Sequence, residues 1–342
     1  MSAESEPRTR TQRFWATAVI LGQLYVACMA LALLFQLTLR DSTSLFFAAS
    51  SLALYFFAPL PLLVLIALKT RRRELLVGAL VLALVWLWQW GRLFSPLRLR
   101  EPSRVELRVA TYNLLGRNHS TASTVHELEL ANADLISLQE LNLEQASAIE
   151  KELGGTYPYR QLDPRVGVRG SGVLSRWPLE AVDTRLRREY GWVGKPMVFK
   201  VTIEQRQLYF VQFHAASGTG AFEARENQAE ELRDFARTAD LPVIAAGDFN
   251  ATDTSRAYSI AREGLNDAWR TAGFGFGHTF PGEPGPEAGG SRPTIAGFPV
   301  PKWLIRIDFI FHTDQLVAQE AAIVPSGGGS DHRMVTASFS WR

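Results

Sequence analysis

The stretch Val243-Ile-Ala-Ala-Gly-Asp-Phe-Asn250 decides how this chain reads. Val243–Ala246 is a short apolar run of the kind that forms a strand buried on both faces, and it delivers Asp248 and Asn250 at its end. The same grammar recurs elsewhere. Val105, Leu107, Val109 and Thr111 alternate with polar residues toward Asn113, Leu135–Leu138 leads to Glu140, and Leu208–His214 ends on a histidine. Strand ends at one edge of a sheet converge in space, so these polar groups could share one site. Asp308 lies within Ile307-Asp-Phe-Ile310, where a carboxylate among apolar neighbours is costly unless it is paired or metal-bound. Asp331 and His332 follow Gly327-Gly-Gly-Ser330, a run whose missing side chains let backbone approach a ligand closely.

Outward from these points, the spacing predicts helices over Ser123–Asn132 and Ala221–Thr238, the latter with Ala229, Leu232, Phe235 and Ala236 on one face. Gly172–Leu174 reads as a strand, and Met197–Glu204 with Leu208–His214 as a hairpin turning at Gln205–Gln207. A loop at Pro281–Pro301 holds six Pro and five Gly, and strands are expected after it at Leu304–Phe311, Leu316–Val324 and Met334–Ser340. Mixed strands with interspersed helices over about 240 residues predict an α/β domain of several layers.

Seven of these segments, in order, resemble the signature of the endonuclease/exonuclease/phosphatase (DNase I-like) superfamily. They are Ala110-Thr-Tyr-Asn113, Ser137-Leu-Gln-Glu140, Gly172-Val-Leu-Ser-Arg176, Phe213-His214, Gly247-Asp-Phe-Asn250, Arg306-Ile-Asp-Phe309 and Ser330-Asp-His332. The resemblance covers residues from about 105 to 342. It implies a four-layer α/β sandwich, two mixed β-sheets flanked by helices, and a hydrolase of phosphoesters. Position by position, Glu140 resembles the principal metal carboxylate, with Asn113 beside it and Asp331 on the metal. Oxygen ligands of this kind suit Mg²⁺ or Mn²⁺. Asp248 and Asn250 resemble the pair that orients the attacking water and holds the phosphate. His332, braced by Asp308, resembles the histidine on the scissile phosphate, and His214 a general acid toward the leaving group. Each residue also has a plainer reading: Asn113 as a turn residue, Asp248 and Asn250 as a helix cap, Asp308 as an ion-pair partner of Arg306, and His214 as a satisfied core histidine. His119, His126, His278 and His312 are left to such roles, and Arg185, Arg187 and Arg188 to a solvated face.

The first hundred residues have another character. Of 36 Lys/Arg and 34 Asp/Glu, 11 and four lie in residues 1–100, which makes that part about +7 and the remainder about −5. An acidic catalytic part argues against a protein built to coat nucleic acid, since such affinity comes from neutralising phosphates. Apolar stretches at Phe14–Leu39, Ser44–Leu68 and Leu75–Trp90 predict membrane spans, the third crossing if it continues to Phe94. Trp86, Trp88 and Trp90 suit an interfacial belt. The first run is too long for a cleaved signal peptide and is followed at once by a second. Cys28, the only cysteine, excludes a disulfide framework and a thiolate metal site. Arg8, Arg10 and Arg13 precede the first span, and Lys69 with Arg71–Arg73 fill the second loop, so the positive-inside rule puts both in the cytoplasm. Three spans then leave the rest of the chain outside, although Arg92, Arg98, Arg100 and Arg104 weigh the other way.

The expectation is thus a multi-pass protein of a bacterial inner membrane. Its partners are the bilayer, through residues 1–100, and a phosphoester substrate, taken by an extracytoplasmic catalytic domain at residues 101–342. Nucleic acid, a lipid headgroup and a small phosphoester remain open as that substrate. The alternative is a non-catalytic membrane scaffold on a hydrolase fold.

Overall fold

The computed structural model describes residues 9–95, 105–184, 186, 191–295 and 297–342. Residues 96–104, with Arg98, Arg100 and Arg104 among them, and Arg8, Arg185, Arg187 and Arg188 lie outside these residues. The chain divides into two compact units, Met1–Arg92 and Leu93–Arg342.

The first unit is helical. Helix α1 (Arg10–Thr38) starts at a reciprocal cap in which Thr9 Oγ1 accepts from Gln12 N–H and the Gln12 side chain accepts from Thr9 N–H. The second apolar stretch is broken. It forms α2 (Ser44–Ser51), a 3₁₀ turn (Ala53–Phe57) and α3 (Leu60–Thr70), and α3 starts where Pro59 and Pro61 suit a first turn but cannot continue a preceding helix. Helix α4 (Arg73–Trp90) runs on through a 3₁₀ turn to Phe94. Arg10–Thr38, Ala53–Thr70 and Arg73–Phe94 are each long and apolar enough to cross a membrane. Small residues let the helices approach closely: a Cβ on Gly78 would lie 2.8 Å from Val26, and one on Gly22 would lie 3.2 Å from Leu63.

The second unit contains, in order, β1 (Leu107–Asn113), α5 (Thr121–Ala131), β2 (Leu135–Gln139), α6 (Leu143–Leu153), β3 (Tyr159–Asp163), β4 (Ser171–Ser175), β5 (Leu179–Ala181), β6 (Met197–Ile203) and β7 (Arg206–His214). There follow α7 (Phe222–Thr238), β8 (Val243–Asp248), α8 (Arg256–Ala261), β9 (Asn266–Asp267), α9 (Ala268–Ala272), β10 (Thr294–Ile295), β11 (Phe298–Pro299), β12 (Asp308–His312), β13 (Leu316–Ile323) and β14 (Val335–Trp341). Two six-stranded sheets result, ordered β13-β14-β1-β2-β4-β3 and β5-β6-β7-β8-β12-β9. Each is mixed: β1 with β2 and β7 with β8 run parallel, and the other pairs antiparallel. Val125, Leu128, Ala146, Ile149 and Leu153 of α5 and α6 pack with Tyr112, Ile136 and Leu174 of the first sheet. The sheets meet face to face, where Ser137 Oγ donates to Ala246 O (2.7 Å) and Gln212 Nε2 to Leu138 O (3.3 Å). The fold is therefore the four-layer sandwich that the resemblance implies.

Several elements differ in detail from expectation. The hairpin turns one residue earlier and more tightly, at Glu204–Gln205, because Ile203 pairs with Arg206. The strand expected from Leu304 begins at Asp308, since Ile305 instead bridges Phe280. Strands β3, β5, β9, β10 and β11 and helices α6, α8 and α9 match no expected element; β3 and β5 are partly exposed edge strands without an apolar run.

Gly247 sets the spacing of the central strands. It pairs with Phe213 across β7 and β8, and a Cβ there would lie 2.0 Å from the Phe213 carbonyl oxygen. Gly247→Ala is therefore expected to destabilise the second unit by roughly 1–3 kcal/mol or more, the scale of overpacking a tight core. A urea midpoint equal to that of the wild type would count against this packing.

Candidate active site

The second sheet builds a row. Strand register places His214 beside Asp248 and Asp248 beside Asp308, so three neighbouring strands bring these side chains together at one edge. His214 Nε2 lies 3.5 Å from Asp248 Oδ2. His332 enters from the Gly-rich loop, with Nδ1 3.0 Å from Asp308 Oδ2 and Nε2 3.8 Å from Asp248 Oδ2. All four side chains are buried. Burial alone would push the His332 imidazole down, but the Asp308 and Asp248 carboxylates outweigh it and hold the ring well above its ordinary range. Burial raises the Asp248 carboxyl, with His332 and His214 pulling the other way.

The first sheet supplies the opposing group. Asn113 ends β1 and Glu140 stands just beyond β2. Asn113 Nδ2 donates to Glu140 Oε1 (3.2 Å) and to Asp248 Oδ2 (3.0 Å), which ties a carboxylate from each sheet to one amide. Asn113 Oδ1 accepts from Leu115 N–H (3.0 Å), and the second Glu140 oxygen accepts from Gly116 N–H (3.0 Å). Glu140 and Asn250 both adopt left-handed backbone, φ +55° and +50°, a conformation disfavoured for Glu and found where surroundings over-determine it. Asn250 N–H donates to Asp248 Oδ1 (2.9 Å), and its side chain donates to Ala215 O (3.1 Å).

Asp331 comes from the same loop as His332. Burial raises its carboxyl, His332 opposes that, and the Glu140 charge pushes it up further. Ser330 Oγ donates to Asn113 O (2.7 Å) and accepts from His332 N–H (3.0 Å), and the Tyr112 hydroxyl donates to Gly327 O. The Pro/Gly-rich loop lies against this segment: Gly282 N–H donates to Asp331 O and Gly285 N–H to Gly329 O. Farther along that loop, β10 and β11 form a small hairpin with Ile295 and Phe298 exposed.

Two places fit a cation. Asp248, Asp308 and His332 offer ligand atoms within 4.8 Å of one another. There, however, His332 already lies against both carboxylates, which raise its pKa, and it offsets part of their charge. Glu140 and Asp331 repel each other, and a hard divalent cation would relieve that repulsion. This second pair fits Mg²⁺ or Mn²⁺ better. Asn113 meets its neighbours through its NH₂ group, so it serves as a bridge between carboxylates more than as an oxygen donor.

The plainer readings fare differently. Arg306 does not pair with Asp308; it is buried against Asp267 (2.8 Å) and Asp253 (3.3 Å) and covers the Phe309 ring. His214 Nδ1 is buried without a hydrogen-bond partner among the described residues. His119 pairs with Glu144, His278 with Trp303 O and His312 with Thr313 O, all apart from the row. The contacts of Gly116 N–H, Ser330 and Tyr112 leave no signal in the sequence because they depend on how distant loops converge.

Comparison with known proteins accords with this geometry. The profile of the Endonuclease/Exonuclease/phosphatase family matches residues 110–332. Among solved structures, the human Nocturnin catalytic domain with bound sulfate superposes with a TM-score of 0.52 at 18% identity, covering 72% of this chain and 100% of that one. A truncated Caenorhabditis elegans TDP2 gives 0.53 at 18%, covering 68% and 97%. An endonuclease/exonuclease/phosphatase from Bacteroides vulgatus gives 0.52 at 20%, covering 70% and 100%. At these identities the likeness speaks for the fold. No curated protein matches the chain.

Proposed function

The chain belongs to the endonuclease/exonuclease/phosphatase family, and from that premise we propose that it is a membrane-anchored, divalent-metal-dependent phosphodiesterase. The observation that carries this reading is the Asn113 bridge, which draws Glu140 of one sheet and Asp248 of the other to one point beside His332. A cation held by Glu140 and Asp331 would neutralise charge on the phosphate and on the leaving oxygen. His332, kept protonated by Asp308, stabilises charge that gathers on the phosphate oxygens. Asp248, steadied by the Asn250 amide, orients the attacking water. His214 delivers a proton to the leaving group.

The substrate is a phosphodiester in a nucleic acid, a lipid headgroup or a small molecule, and the charge of about −5 beyond residue 100 favours the latter two. The full chain with Mg²⁺ is expected to hydrolyse at least one of DNA, RNA, sphingomyelin and simple phosphodiesters. Failure on all four classes would reject the enzymatic reading and favour the scaffold.

The three apolar segments support an anchor in a bacterial inner membrane, with Lys69 and Arg71–Arg73 cytoplasmic and the catalytic unit outside. A reporter active only outside the cytoplasm should therefore work when fused after Arg104 and fail when fused within Lys69–Arg73. The reverse pattern would move the catalytic unit to the cytoplasm.

A further inference from the structure

Asn118 is neither a candidate ligand nor a reacting group, yet every polar atom it has is engaged. It is wholly buried. Its Nδ2 lies 3.4 Å from Leu114 O, 3.3 Å from Gly328 O and 3.5 Å from Thr124 Oγ1, and its Oδ1 accepts from Ser120 N–H at 2.9 Å. Its backbone N–H donates to Leu115 O (2.6 Å). Its carbonyl accepts from Asn142 Nδ2 (3.0 Å) and Gln145 Nε2 (3.2 Å), the two residues that cap α6.

These contacts join two parts of the site. One is the turn from Leu114 to Asn118, whose Gly116 N–H holds Glu140 and whose Gly116 carbonyl is held by Asn142 Nδ2 (3.1 Å). The other is the loop that carries Asp331 and His332. That loop passes so close that a Cβ on Gly329 would lie 2.7 Å from Asn118 Oδ1, and Gly328 and Gly329 take φ +54° and +88°, where glycine fits best. Tyr112 and Ser330 pin the loop to β1; Asn118 pins it to the turn that fixes the metal carboxylate.

We propose that Asn118 is a positioning residue that couples Glu140 to the Asp331–His332 loop and so sets the spacing of the two carboxylates that would hold the cation. The inference rests on the proposed assignment of that cation to Glu140 and Asp331. Residues that hydrogen-bond metal ligands orient them without touching the metal; Asn118 acts one step farther out, through the turn that holds Glu140 and through Gly328.

Asn118→Asp keeps the volume but turns a donor into an oxygen facing the Leu114 and Gly328 carbonyls. Asn118→Ala removes the link outright and serves if the first variant does not fold. Tyr157→Phe is the control: it deletes one buried hydrogen bond, to Ala133 O, near the start of β2 and away from the site. On the detergent-solubilised full chain, three quantities are read: Mn²⁺ binding by electron paramagnetic resonance, metal-free amide exchange at Gly116 and Ser330–His332, and kcat and KM on a soluble aryl phosphodiester. Both Asn118 variants should bind Mn²⁺ more weakly, by up to roughly the 10–100-fold lost with residues that hold metal ligands directly. Exchange should quicken at both segments together, and kcat should fall with little change in KM. Tyr157→Phe should lower the unfolding midpoint and leave all three unchanged. Asn118 variants that match the wild type in Mn²⁺ binding and exchange, with only a lower midpoint, overturn the inference alone. A wild-type chain that binds no Mn²⁺ overturns the cation assignment and this inference with it.

Discussion

His332→Ala is expected to lower kcat/KM by at least ~10²-fold on every phosphodiester, the scale of losing a principal electrostatic stabiliser. The ring stands against two buried carboxylates that raise its pKa, and its removal leaves Asp308 without its histidine partner and facing Asp248. His214→Ala should behave differently. Proton delivery to a leaving group is typically worth about 10²–10⁴-fold. That help matters for a sugar or lipid alkoxide, which is unstable at neutral pH, and hardly for a nitrophenolate. His214→Ala should therefore hurt natural diesters badly while sparing an activated aryl ester. The check is kcat/KM for both variants on both substrate types, with unfolding midpoints to exclude lost stability. Equal losses on aryl and natural esters would leave His214 as a structural or phosphate-binding residue. Its Nδ1, buried without a partner among the described residues, and its Nε2 at 3.5 Å from Asp248 make this the sharper half of the comparison.

Glu140→Gln should lower hydrolysis by at least ~10²-fold while leaving the fold intact, because it keeps the side-chain shape and removes the charge that a divalent cation needs. The two hydrogen bonds that hold Glu140, from Asn113 Nδ2 and Gly116 N–H, both need an acceptor. Gln offers one oxygen for two donors, so the variant loses part of its bracing as well as its charge. An unfolding midpoint close to that of the wild type, together with near-normal kcat, would remove Glu140 from the metal site.

The parts of this account that were legible in the sequence have a common cause. Asn113, Glu140, His214 and Asp248 each follow a run of residues buried on both faces, and a parallel or mixed sheet necessarily lines up such strand ends. Asp308 was legible because a carboxylate among Ile307, Phe309 and Ile310 needs a partner, and the partner proves to be His332. Other features depend on chain segments far apart in sequence. Tyr112 and Asn118 meet Gly327 and Gly328 only when that loop folds against β1 and the 114–118 turn, and Gly116 meets Glu140 only when the turn closes on the end of β2. Helix α6 did leave a signal, since Asn142 and Gln145 have the spacing of a reciprocal N-terminal cap, which the structure contains. The edge strand β3 left little, because Tyr159–Asp163 is half exposed and lacks an apolar run. In the helical unit, overall hydropathy hid the effect of Pro59 and Pro61, which start a helix inside what reads as one continuous span.

The most direct test of the whole reading is hydrolysis of a phosphodiester by the purified full chain before and after metal is stripped. Activity should vanish in chelator and return when Mg²⁺ or Mn²⁺ is added in excess, with Glu140→Gln failing to recover under the same addition. Full activity of the wild-type chain in chelator would contradict the account.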